Sequence, residues 1–296
     1  MASTSAAYPW YYRPLDWLLR ALAALPLAVL YVLAEGIYFL LAYVVRYRWR
    51  VITENIRNSF PEKTEREVAA TARGFYRHFS QLIVEILKLR GISSQELARR
   101  VRITNPELIE PLFAAGRTVL TLGSHAGNWE WILSAGAVRF PGRADGVYKP
   151  LNNPFFESFM YTLRTRSGAT LVTMRDTLRH LLRHRGEGRS ISLLTDQAAG
   201  PEDQPYWTEF LHQDTSFYTG ADRLAVQLKC PVLYVGIRRV RRGYYDITIS
   251  PIYDGESPVE KGTYPIAEAF ARYLEQDIQA SPTQYLWSHR RWKHKR

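Results

Sequence analysis

Cysteine is nearly absent from this chain, with Cys230 the only one in 296 residues. That excludes an internal disulfide and a cysteine metal cluster, and both exclusions fit a reducing compartment. Acidic residues are also scarce. Lys and Arg number 39 against 28 Asp and Glu, a formal net charge of +11 at pH 7. Such a chain is drawn to anions, whether nucleic acid, anionic lipid headgroups or acidic proteins. No internal repeat and no low-complexity linker interrupts it. Charge is scarcest between Ala21 and Val45, where Glu35 is the single charged residue.

What is present starts with that apolar stretch. As a helix it would extend roughly 37 Å, more than a bilayer core requires. Arg13 and Arg20 flank one end, and Arg46, Arg48 and Arg50 the other. Trp17, Tyr31, Tyr38 and Tyr43 stand where an aromatic belt forms. A cleaved signal peptide fits poorly, because no small-residue cleavage site precedes the basic cluster. The expectation is an N-terminal membrane anchor over residues 1–50 and a catalytic domain over 51–296. A buried hairpin broken near Pro26 or Glu35–Gly36, or a half-inserted monotopic anchor, stays open beside a full span. The denser arginine cluster follows the apolar stretch, which places the rest of the chain on the cytoplasmic side. The 19 Tyr and 8 Trp suit a membrane interface, although aromatic residues also line single-stranded nucleic-acid grooves.

Residues 46–62 read as basic and polar. Thr64 with Glu67 forms a capping box, and Ala72, Phe75, Phe79, Leu82, Ile83, Ile86 and Leu87 then recur at helical spacing up to Gly91. Ser93 with Glu96 starts a short second helix. From Arg117 onward the pattern alternates. Strands are expected at 118–122, 146–148, 170–172, 190–195, 232–237 and 245–250, and helices at 129–138, 155–166, 177–185 and 221–229. The fold class is therefore α/β, with a mixed, largely parallel sheet flanked by helices and an N-terminal hydrophobic anchor helix. In such sheets ligands gather at the carboxyl ends of strands. The run Arg238, Arg239, Arg241, Arg242 before Gly243 reads as a solvated hairpin tip.

The segment from Leu120 to Glu130 concentrates the chemistry. A strand runs into a Gly-rich turn, His125 stands at the strand's carboxyl end, Asn128 is a helix N-cap, and Glu130 falls in the first helical turn. A His–carboxylate pair serves general base catalysis, with the imidazole taking the proton of an attacking hydroxyl and the carboxylate fixing its tautomer. On this reading Glu130 orients His125. No protein nucleophile is needed when the hydroxyl belongs to the substrate, and the segment is not a Gly-x-Ser-x-Gly elbow. His180 and His184 are four apart on a helix but have no third ligand, so they read as a basic face and no metal is assigned. His289 reads as part of an interfacial basic tail, and Cys230 as core.

The wording His125-Ala126-Gly127-Asn128-Trp129-Glu130 resembles the His-x-x-x-x-Asp/Glu motif of glycerolipid and lipid A acyltransferases. It is most similar to the lipid A lauroyl/myristoyl (late) acyltransferase family. Asn55 with Ser59-Phe60-Pro61, Tyr148-Lys149-Pro150 with Asn153-Pro154, and Arg164 to Gly168 resemble further family elements. So do Thr195-Asp196-Gln197, Phe217 to Gly220, and Tyr285 to Lys293, so the likeness covers nearly the whole chain. Lys149 stands where the family usually has Arg, and Lys binds phosphate as a point charge rather than as a fork.

The resemblance implies a glycerolipid acyltransferase-like fold and an acyl carrier protein thioester as donor. It implies a lipid A precursor or other anionic lipid as acceptor, with no cofactor and no nucleic acid. The setting it implies is the cell inner membrane with the catalytic domain on the cytoplasmic side. His125 and Glu130 are the expected catalytic pair, and Asn128, Lys149, Arg164, Asp196 and Gln197 the expected substrate-binding residues. Arg164 and Arg166 also lie near a helix end, where cations suit the dipole regardless. A lysophospholipid or aminolipid acceptor is the alternative within the class. The alternative outside it is a basic, membrane-tethered protein that binds nucleic acid or anionic lipid. That class expects a basic groove without a buried His–carboxylate pair.

Overall fold

A computed structural model describes residues 8–296. The N-terminal apolar stretch is broken at Pro26, which cannot continue a helix. Helix α1 spans Arg13–Ala24 and α2 spans Leu27–Phe39, extended by a π-helical turn at Leu40–Val44. Of the two expected break points only Pro26 is used, because Glu35 and Gly36 lie inside α2. Lys88 seals the break by donating Nζ to the carbonyls of Ala23 and Leu25 at 2.9 and 2.8 Å. The 46–62 stretch contains a helix the sequence reading did not mark, α3 at Trp49–Ser59. Its buried Ile52, Thr53, Ile56 and Ser59 lie on one face. Arg48, in a left-handed conformation at φ 53°, gives it no capping side chain to read.

Helix α4 (Glu65–Lys88) begins at the Thr64–Glu67 capping box, and α5 (Ser94–Arg100) at Ser93. There follow β1 (Val101–Ile103), α6 (Glu110–Ala114), β2 (Val119–Gly123), α7 (Trp129–Arg139), β3 (Ala144–Tyr148) and α8 (Pro154–Thr165). Next come β4 (Thr170–Thr173), α9 (Thr177–Arg183), β5 (Ser190–Leu194), β6 (Tyr206–Phe210) and β7 (Gln213–Phe217). The chain continues through α10 (Gly220–Leu228), β8 (Val232–Arg241), β9 (Tyr244–Tyr253) and α11 (Pro265–Ala280). The seven-stranded sheet has the order β1-β9-β8-β2-β5-β3-β4. Five of its strands, β8 to β4, run parallel, while β9 turns back on β8 through the expected Arg-rich hairpin and β1 pairs parallel to β9. Strands β6 and β7 form a separate antiparallel hairpin.

The central strand β2 is buried throughout, as a parallel strand covered on both faces must be. The main core joins α3, α4, the sheet, α11 and the β6–β7 hairpin through Phe75, Tyr76, Phe217, Phe270 and Trp287. A second cluster packs Leu27, Leu30, Tyr31 and Ala34 of α2 against Val84, Trp131 and Tyr245. Helix α2 therefore lies along α4 rather than standing clear of the domain.

Candidate active site

The register of the sheet builds the site. Gly123 pairs with Leu194 across β2 and β5, so His125 and Asp196 both stand two residues beyond the carboxyl ends of adjacent parallel strands. His125 Nδ1 lies 2.7 Å from Asp196 Oδ1, and the His125 backbone N–H donates to Asp196 Oδ2 at 3.0 Å. One carboxylate thus grips both ring and backbone. With Nδ1–H donating, Nε2 is left as the proton acceptor. The ring meets Trp129 edge-on at 5.3 Å, and the Gln197 amide approaches Nε2 at 3.5 Å.

The carboxylate bonded to the ring is Asp196, not Glu130. Glu130 instead receives a fork from Arg164, with Nε to Oε2 at 2.8 Å and Nη2 to Oε1 at 2.6 Å. The expectation of a His125–Glu130 contact came from chain proximity. The helix start at Asn128 turns Glu130 toward α8, while the sheet brings Asp196 to the ring. Glu130 still acts on the imidazole through space, second to Asp196.

Burial disfavours the imidazolium form of His125, yet the nearby Asp196 and Glu130 outweigh it, so its proton affinity ends above the ordinary histidine value of 6.5. Burial likewise opposes ionisation of Asp196, but His125 overcomes it and holds the carboxyl below its usual range.

The turn between β2 and α7 is pinned on every side. Gly127 has φ +57°, and a Cβ there would sit 2.7 Å from the Ile237 carbonyl, so only glycine fits. Buried His78 contacts the Gly127 carbonyl through Nε2 at 3.1 Å; burial and Arg239 lower its pKa to about 4. Asn128 caps α7 by accepting from the Trp131 N–H, and its Nδ2 donates to Glu85 Oε2 at 2.8 Å. Its side chain is fully buried and faces α4 rather than the site opening. From behind, the chain after α11 runs alongside. Leu286 N donates to the His125 carbonyl at 3.1 Å, Gly127 N to the Gln284 carbonyl at 2.9 Å, and Ala198 N to His289 Nε2 at 3.3 Å.

His125, Glu130, Arg164, Asp196 and Gln197 therefore converge. Lys149 lies exposed on the loop after β3 with no salt-bridge partner among the described residues. His180 and His184 face each other at 4.4 Å, but each has its own acid, Asp145 and Glu187 respectively. Among the described residues no group of three or more His, Cys, Asp or Glu side chains could hold a metal. His289 is half-buried behind the site and not a free tail residue; burial drives its pKa down to about 4. A cavity of about 230 Å³ lined by Arg117, Arg185, Lys229 and Cys230 opens at the amino ends of β2 and β8, away from His125. Glu85, His78 and Arg291 were not singled out from sequence. All three are ordinary-looking members of helices or of a basic run, and only their burial marks them.

The model of the bacterial lipid A biosynthesis acyltransferases matches residues 4–294. The chain belongs to that family. It is 26% identical over 297 residues to the lipid A biosynthesis lauroyltransferase of Escherichia coli strain K12, covering 98% of this chain and 94% of that protein. It is 22% identical over 270 residues to the palmitoleoyltransferase of the same strain, covering 91% and 86%. A lipid A biosynthesis acyltransferase of Haemophilus influenzae is 22% identical over 296 residues, covering 96% and 93%. Membership makes this an acyltransferase, and the match over residues 4–294 covers both the N-terminal helices and the sheet.

Proposed function

We propose that this protein transfers a fatty acyl group from an acyl carrier protein thioester to a hydroxyl of a lipid A precursor. His125 is the general base, and Asp196 orients it. The observation that carries this reading is the 2.7 Å bond from His125 Nδ1 to Asp196, which leaves Nε2 to take a proton. The acceptor hydroxyl attacks the thioester carbon as its proton passes to Nε2. The C–O bond forms, the tetrahedral intermediate collapses, the C–S bond breaks, and the imidazolium returns the proton to the departing thiolate. Glu130 serves by fixing Arg164, whose guanidinium supplies positive charge beside the reacting oxygen. Asp196 is thereby a positioning residue rather than a substrate ligand, and Gln197 and Lys149 remain candidates for contact with the acceptor. The test is acyl transfer by purified protein from loaded acyl carrier protein to a lipid A precursor, with a lysophospholipid in parallel. Transfer to the lysophospholipid alone would overturn the acceptor assignment.

The reading includes membrane attachment through residues 1–50, with residues 51–296 as the catalytic part on the cytoplasmic side. The segment Leu27–Val44 has mean hydropathy 2.0. Its outward face exposes Val32, Phe39, Leu40 and Val44, and Trp17 and Leu18 of α1 are exposed nearby along the chain. Its inward face is fixed to α4, with Tyr31 bonded to Glu85 and Glu35 paired with Arg77. A helix committed along its length to a charged helix of the domain favours lying in the interface over crossing the bilayer. A cysteine placed at Val32 should resist a membrane-impermeant maleimide until detergent is added. Rapid labelling in intact vesicles of either orientation would sink the attachment.

A further inference from the structure

The segment from Pro282 to Trp292 forms a strap behind the catalytic turn. Besides its backbone bonds to His125 and Gly127, it is tied to α3. Asn55 Nδ2 donates to the carbonyls of Trp287 and His289 at 2.8 and 2.9 Å, and Arg48 donates to that of Ser288 at 2.9 Å. Trp287 is fully buried, and Trp292 donates Nε1 to Thr215 at 2.8 Å. Between these anchors the strap carries Arg291 into the interior, with only 2% of the residue exposed.

The setting of that guanidinium is unusual. Its Nη2 donates to the Ser216 carbonyl at 2.6 Å, while Nε and Nη1 have no partner among the described residues. It lies 4.6 Å from the centre of the Phe217 ring, and no carboxylate forms a salt bridge with it. An arginine does not shed its proton, and an uncompensated buried cation is costly. Its charge must be balanced through space. Burial apart, Tyr285 acts on it most, then Asp196 and then Tyr218; both tyrosines keep their protons, so the anion among them is Asp196.

We propose that Arg291 is the buried counter-cation of the His125–Asp196 pair, a positioning residue that sets the pH at which His125 can act as a base. The inference rests on the reading of His125 as the base. The charges facing the pair sum simply. Glu130 and Arg164 form a fork of zero net charge, in which the carboxylate acts the more strongly on the ring. His289 is neutral at physiological pH, and Tyr234, Tyr285 and Tyr218 keep their protons. With neutral His125 the pair carries one negative charge, and Arg291 supplies the matching positive one. Without it, the pair gains by binding a proton, which protonates the base. The active form would then appear only at higher pH.

The test is the pH profile of kcat/KM for the full-length protein in detergent, using loaded acyl carrier protein and a lipid A precursor. Arg291→Met should move the acid limb up by about one pH unit. Below the limb that is about a tenfold loss, and it should be recovered at high pH with KM for the carrier unchanged. Arg291→Lys, which keeps the charge, should restore most of the limb's position. Arg291→Gln keeps a polar side chain without the charge; it should shift the limb as Met does, and it carries the test if the Met protein does not fold. A folded Met or Gln variant with its limb at the wild-type pH would overturn the proposal, even if activity fell equally at all pH values. Failure of the underlying reading looks different: the wild type would lack an acid limb, or His125→Ala would keep its turnover.

Discussion

Two buried carboxylates hold the catalytic turn from opposite sides, and they behave in opposite ways. Asp196 accepts from the His125 ring and from the His125 backbone N–H, and the Arg291 cation acts on it through space. Burial opposes its ionisation, but these partners prevail and hold it below the ordinary range. Glu85 is surrounded by neutral donors, with Tyr31 at 2.8 Å, Tyr245 at 2.6 Å and Asn128 at 2.8 Å. There burial prevails, and its proton affinity is raised. A carboxylate beside a cation and two N–H donors stays ionised, as the proposed proton transfer requires. One among hydroxyls and amides works as a clamp, joining α2, α4, α7 and β9 at a single point.

The comparison breaks most sharply at His125. His125→Ala should lower turnover by about 10²–10⁴-fold, the usual contribution of a general base, without loss of folding. Circular dichroism and acyl transfer on the same preparation check this. In the proposed mechanism the active form is the neutral imidazole; because its proton affinity is raised, wild-type kcat/KM should fall as pH drops through a value above 6.5. An acid limb well below that value would contradict the balance of charges around the pair.

The Arg164–Glu130 fork comes next. Arg164→Met should cost about 10²-fold in kcat if the guanidinium meets developing negative charge, and Glu130→Gln less, because the arginine remains. Equal losses that appear in KM alone would assign the pair to substrate binding instead.

The clamp should respond in stability rather than chemistry. Glu85→Ala leaves three buried donors unpaired and should cost roughly 3 kcal/mol or more, seen as a lower thermal midpoint in detergent. Tyr31→Phe removes one donor and should cost only about 1 kcal/mol. Neither should move the acid limb. A limb that moved with Tyr31→Phe would erase the distinction between the two carboxylates.

Much of this arrangement was legible in the sequence. The strand, Gly-rich turn and N-cap around His125 carry local signals, and the capping boxes at Thr64 and Ser93 are local too. The six strands read from the pattern all belong to the sheet, with ends shifted by a few residues. Short β1 and the β6–β7 hairpin were not read; alternation in the hairpin is broken by Glu209, Gln213 and Asp214. Helix α11 has Ile266, Phe270, Leu274 and Ile278 at clear spacing and was legible but unread. What no local signal could give was partnership. Asp196 was marked as a strand-end residue, yet only the β2–β5 register brings it to His125. The burial of Arg291 depends on a strap whose sequence reads as an interfacial basic tail.

The most direct test of the account is the single-turnover rate of acyl transfer by Asp196→Asn, a variant of the same size that removes the charge orienting His125. The account predicts a loss of about 10²–10⁴-fold, close to that of His125→Ala, with the double variant little worse than either. A folded Asp196→Asn protein that turns over at the wild-type rate would contradict it, and would return the role of partner to another carboxylate.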